Sequence, residues 1–121
     1  MAYFYSLRGW LEIEPHNLPK IINIIQTIKT DYHDQPQQLL YLQGWQWQEQ
    51  TINWTAYIFY GADVKIDGLN LFEITLNKLT SLNFNCRGYF EAEGEDEQQI
   101  FTYKITDDLI RKLTEKPLVK I

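Results

Sequence analysis

Cysteine is almost absent. Cys86 stands alone in 121 residues, so no intramolecular disulfide can form and the secreted, disulfide-stapled class is excluded. Positive charge is scarce too: 11 Lys and Arg stand against 16 Asp and Glu, a formal charge of −5. That balance removes the cationic surplus on which non-specific nucleic-acid binding draws, and it disfavours an anionic membrane surface. No apolar run approaches the roughly 20 residues that cross a bilayer, and Met1 to Arg8 lacks the basic-then-apolar order of a signal peptide. The expected setting is a reducing cytoplasm, with neither nucleic acid nor membrane as partner.

Enzyme signatures are missing as well. There is no Gly-x-Ser-x-Gly elbow, His-Glu-x-x-His pair, Cys-x-x-Cys, phosphate-binding glycine loop or dinucleotide motif. The expectation is no catalytic residue, no cofactor and no metal. His16 and His33 lie at opposite ends of the first predicted helix, too far apart to share a metal by local spacing, and read as surface or capping residues. Cys86, beside Gly88 and without a His neighbour, reads as a buried inert thiol. Glu12 and Glu14 fall on one strand face and could in principle form an acid and base pair, but nothing in view desolvates them.

What is present is apolar and aromatic: 45% hydrophobic and 15% aromatic residues, enough for one folded domain over 1–121. Tyr3 to Ile13 alternates Tyr3, Tyr5, Leu7, Gly9, Leu11 and Ile13 against Ser6, Arg8 and Glu12, which predicts a strand that Pro15 ends. Asn17 is placed to cap a helix that tolerates Pro19 in its first turn, with Leu18, Ile21, Ile22, Ile25 and Ile28 along one stripe. Asp31 to Gln38 reads as a loop and Leu39 to Gln48 as a strand. Its hairpin partner carries Trp54, Ala56, Ile58 and Tyr60 on one face and Tyr57 and Phe59 on the other. A connection from Gly61 to Gly68, with Asp67 as cap, leads into a helix over Leu69 to Leu82. Cys86 to Glu93 is a strand, Gly94 to Gln98 a turn and Ile100 to Ile105 its return. Beyond Asp107 the pattern fits either a short helix capped by Thr106 or an edge strand.

The resulting order, β-α-β-β-α-β-β, predicts an α+β fold: a ferredoxin-like two-layer sandwich, with an antiparallel sheet and two helices on one face. The other face, carrying Trp10, would meet solvent or a partner.

Two residue groups stand out. Glu91, Glu93, Glu95, Asp96 and Glu97 place five carboxylates in seven residues around a hairpin tip. They read as a solvated tip that discourages edge pairing, as a docking patch for a basic protein, or as a metal site, although the run lacks the ligand spacing of a calcium loop. The aromatic group Trp45, Trp47, Trp54, Tyr57, Phe59 and Tyr60, joined by Trp10, serves either as core or as a binding or dimerisation surface. Residues two apart on a strand share a face, so Trp45 and Trp47 are neighbours.

The tyrosine-rich first strand with Gly9-Trp10, the stretch from Trp54 to Asp63 and the stretch from Gly88 to Asp96 resemble small acidic immunity proteins of bacterial polymorphic and contact-dependent toxin systems. The resemblance implies tight binding of a cognate toxin domain, blocking its active site or an adjacent surface, but no family functional residue carries over. From charge and aromatic content, the candidate residues for binding a basic protein partner are Glu91, Glu93, Glu95, Asp96, Glu97, Trp10, Trp45 and Trp47. The alternative expectation is a ferredoxin-like homodimer that binds or senses a small molecule at its interface.

Overall fold

The odd positions of Tyr5–Ile13 bury Tyr5, Leu7, Leu11 and Ile13, and the segment forms strand β1. The structure, a computed structural model, describes residues 2–115. A 3-10 turn at Pro15–Asn17 leads into helix α1 (Leu18–Asp31) and helix α2 (Pro36–Leu42). Strands β2 (Trp45–Trp47) and β3 (Ala56–Val64), helix α3 (Ile66–Thr80) and strands β4 (Arg87–Gly94), β5 (Ile100–Thr106) and β6 (Leu109–Glu115) complete the order. The fold is α+β with one open, six-stranded antiparallel sheet in the order β2-β3-β1-β4-β5-β6. First in sequence, β1 is central in space, with β3 on one side and β4 on the other.

Several expectations need correction. Leu39 to Leu42, expected as strand, belongs to α2, and only Trp45–Trp47 remains of that strand. Four consecutive apolar residues carry no periodicity that separates strand from helix. Pro36 in the first turn and the Gln37 amide donating to the Tyr41 hydroxyl at 3.1 Å decide for helix. The described residues thus hold three helices rather than two. Asn17 precedes α1 but makes no side-chain cap. Asp67 lies inside the first turn of α3, not at its cap, where its carboxylate still suits the helix dipole. Past Asp107 the chain forms edge strand β6 rather than a helix, and residues 116–121 of that tail lie outside the described residues.

The helices cover one sheet face. Phe72 of α3 sits at the centre, stacked on Trp45 with centroids 5.5 Å apart and meeting Phe90 edge-on at 5.0 Å and Tyr103 at 5.5 Å. Each such fully buried ring contributes about 1.5–3 kcal/mol from burial alone. Gly9 lets β4 come close: a Cβ there would lie 2.1 Å from the Tyr89 carbonyl oxygen and 2.6 Å from the Phe90 ring. Helix α2 is tied down where the Tyr60 hydroxyl donates to the Tyr41 carbonyl at 2.6 Å. Burial, followed by the nearby Tyr41 hydroxyl, raises the Tyr60 pKa well above the usual tyrosine range.

Candidate functional site

Strand alternation turns the even residues of β1 to the face away from the helices. There Trp10 is 41% exposed and, on β3, Phe59 is 39% exposed. The register sets these side chains in rows that run across strands. One row is Gln46, Phe59, Trp10, Tyr89, Lys104 and Arg111, one residue from each strand in spatial order. The next row holds Tyr57, Glu12 and Arg87, and the row on the other side Arg8, Glu91 and the fully buried Thr102. Trp10 and Tyr89 lie 5.9 Å apart by centroid, and Tyr57 and Phe59 stack at 6.3 Å. A band of rings therefore runs over the sheet centre and ends in cations towards β6.

Three shallow depressions adjoin on this face. One, of about 510 Å³, lies between Trp10, Glu12, Gln48, Tyr57 and Phe59. A second, of about 220 Å³, lies between Trp10, Glu12, Arg87, Tyr89 and Lys104. The third, of about 230 Å³, is bordered by Glu12, Glu14, Trp54 and Arg87. Glu12 borders all three, and its hydrogen-bond partner is the Tyr57 hydroxyl at 3.4 Å. Arg87 and Lys104 have no ion-pair partner among the described residues.

The expected site residues do not all gather here. Trp45 is 1% exposed and packs the core, so it cannot meet a partner in this fold. Trp47 pairs with Ile58 on the helix-covered side and packs, partly buried, against the core. The two tryptophans are neighbours on one face, as their spacing requires, but it is the covered face. Trp54 precedes β3 and is 81% exposed instead of sharing the inner face with Ala56. Trp10 alone of the three expected tryptophans stands at the centre of the open face.

The carboxylate run has internal partners. Glu91 pairs with Arg8 at 2.8 Å and Glu93 approaches the same guanidinium at 3.7 Å. Glu95 accepts the Phe4 backbone N–H at 3.1 Å, while Asp96 accepts the Tyr3 hydroxyl and, at 3.0 Å, the Gln98 N–H. The Tyr3 hydrogen bond holds the Asp96 carboxyl below its usual range, and the same bond raises the Tyr3 hydroxyl to about 12. Four of the five carboxylates thus fasten the hairpin to the segment entering β1 or to Arg8. Glu97, at φ 60° on the turn, has no side-chain partner among the described residues.

No family model, curated protein or solved structure matches the chain.

The remaining residues of chemical interest are inert or exposed. Cys86 is buried, and that burial, helped by the Asp108 carboxylate, pushes its thiol up to about 12. Asp108 accepts the backbone N–H groups of Asn85 and Cys86 at 2.9 and 2.7 Å, which fixes the approach to β4. His16 meets Glu14 at 3.4 Å on the surface, and His33 Nδ1 lies 3.0 Å from the Thr30 carbonyl at the end of α1. No group of His, Cys, Asp and Glu among the described residues is arranged to hold a metal ion. No described helix is long and apolar enough to cross a membrane. The sequence pattern placed Tyr57, Phe59 and Tyr89 on one side of their strands. It did not bring them to Trp10, because strand alternation carries no information about which strands are neighbours.

Proposed function

We propose that the chain is a protein-binding module of the immunity type, which neutralises a cognate toxin in the bacterial cytoplasm by covering it, with no catalytic step of its own. The sheet face away from the helices supports this reading, because it carries exposed Trp10 and Phe59 beside half-buried Tyr57 and Tyr89, with charges around them. Trp and Tyr dominate interface hot spots, and a polar rim around such rings is the usual anatomy of an interface. The net charge of −5 and the carboxylates at one end of the face favour a basic partner and speed its approach. In the same reading, the order β2-β3-β1-β4 is the ferredoxin-like core of the sheet, and β5 and β6 extend it on one side.

The test is direct binding to a toxin-like protein encoded beside this gene. Titration calorimetry of the wild type and of Trp10→Ala is expected to show a tight complex weakened about 30-fold by the substitution, as loss of a hot-spot ring does. No complex, or equal affinity for both proteins, would remove the proposal.

A further inference from the structure

The open face is complementary to itself. Across the junction of β1 and β4 the register sets Trp10 against Tyr89, Glu12 against Arg87 and Arg8 against Glu91. Consider a two-fold axis lying above the face, parallel to these strands and between them. It places β1 of a second copy over β4 of the first, at the same height along the strand. Every residue near the axis then lies over the residue that is its own cross-strand neighbour: Trp10 over Tyr89, Glu12 over Arg87, Arg8 over Glu91. Each contact occurs twice, which is the property of an isologous interface.

We infer that a second copy of this chain occupies the open face, with the sheets stacked about 10 Å apart as in sheet-on-sheet packing. Charge selects this occupant. Among the described residues Glu12 has no cation paired with it and Arg87 no carboxylate, although the two face each other across adjacent strands. Stacking two copies brings each Glu12 over an Arg87 from the other chain, where displaced water strengthens the attraction. Farther from the axis, Lys104, which has no ion-pair partner among the described residues, comes over the second copy's Phe59 and supplies a cation–π contact. The rings between them supply the apolar centre. The inference uses the same face as the proposed toxin contact, so the toxin and the second copy compete for it. Self-association is measured without the toxin, and the failure of one reading leaves the other to be tested by itself.

Sedimentation velocity on the full chain tests it. The wild type is expected to dimerise reversibly at micromolar concentration. Glu12→Arg and Arg87→Glu, each folded by circular dichroism, are expected to weaken self-association at least about tenfold by setting like charges opposite one another. Mixed in equal amounts, the two variants are expected to associate, because each mismatch then becomes a pair. The double variant in one chain is expected to self-associate. A wild type that stays monomeric at millimolar concentration overturns the inference and leaves the face to another occupant. So do single variants that dimerise like wild type, or folded variants that fail to associate on mixing. Should a variant misfold, dilution of the wild type followed by NMR decides: the Trp10 indole and Arg87 signals move with concentration if the inference holds, and stay fixed if it fails.

Discussion

Trp10 and Tyr89 stand opposite each other on β1 and β4, with ring centroids 5.9 Å apart and planes tilted by 39°. The position of Trp10, 41% exposed on the face away from the helices, separates the cost of removing it from the folding energy of the core. Trp10→Ala is expected to lower stability by only about 1 kcal/mol, since the ring is already partly in water. The urea midpoint measures this, and partner binding or self-association should suffer far more.

Trp45 gives the opposite result. Its indole is stacked on Phe72 and meets Tyr60 and Phe90 edge-on. Trp45→Ala leaves a cavity beside Phe72 of α3 and is expected to cost about 3–5 kcal/mol, as for other buried rings. Urea unfolding reads the loss, and a change below about 1 kcal/mol would contradict the placement of Trp45 in the core.

Helix α3 is anchored to the far strands by one carboxylate. Glu73 accepts the Tyr103 hydroxyl at 2.5 Å and the Lys112 ammonium at 2.7 Å. Lys112 also lies 4.7 Å from the centre of the Phe101 ring. Glu73→Leu strands the part-buried Tyr103 hydroxyl and is expected to cost about 1–3 kcal/mol, the penalty of an unmade buried hydrogen bond. Tyr103→Phe in the same background removes the stranded group and should recover part of that loss. A strictly additive pair would show that the contact contributes nothing.

Stability is expected to fall in alkali. Burial pushes up the Cys86 thiol and the Tyr60 and Tyr103 hydroxyls, and hydrogen bonding to Asp96 raises Tyr3. A raised folded-state pKa stabilises the neutral form, so its contribution is complete below the unfolded value and lost as pH rises towards the folded one. For Cys86 that window opens near 9.0 and extends to about 12; for Tyr3 it runs from 10.0 to about 12. Melting temperature should hold up to about pH 9 and decline above it, less steeply in Cys86→Ala. Asp96 works in the other direction. Its lowered carboxyl stabilises above the unfolded carboxylate range, and that stability disappears as pH falls through the folded value.

The strands and the two long helices were legible because their apolar residues repeat at two or at three and four. Four features were not. Leu39 to Leu42 is apolar throughout, so its helix was fixed by Pro36 and tertiary contacts rather than by pattern. Trp45 and Trp47 revealed that they share a side, but which side was decided by pairing with Tyr60 and Ile58 on β3. The carboxylate run looked self-repelling until β1 and the preceding residues came alongside it in space, bringing Arg8, Phe4 and Tyr3 as partners. The open face itself needed strand order. Trp10, Tyr57 and Tyr89 are scattered through the chain, and only β1 standing between β3 and β4 assembles them.

Hydroxyl-radical footprinting of the chain, dilute enough to be monomeric when free and then saturated with a toxin-like protein encoded beside its gene, asks directly whether the sheet face away from the helices recognises that protein. Protection is expected at Trp10, Tyr57, Phe59 and Tyr89, with exposed Leu40 and Ile74 on the helices unchanged. Protection confined to the helices, with the four rings as reactive in the complex as in the free chain, would contradict it.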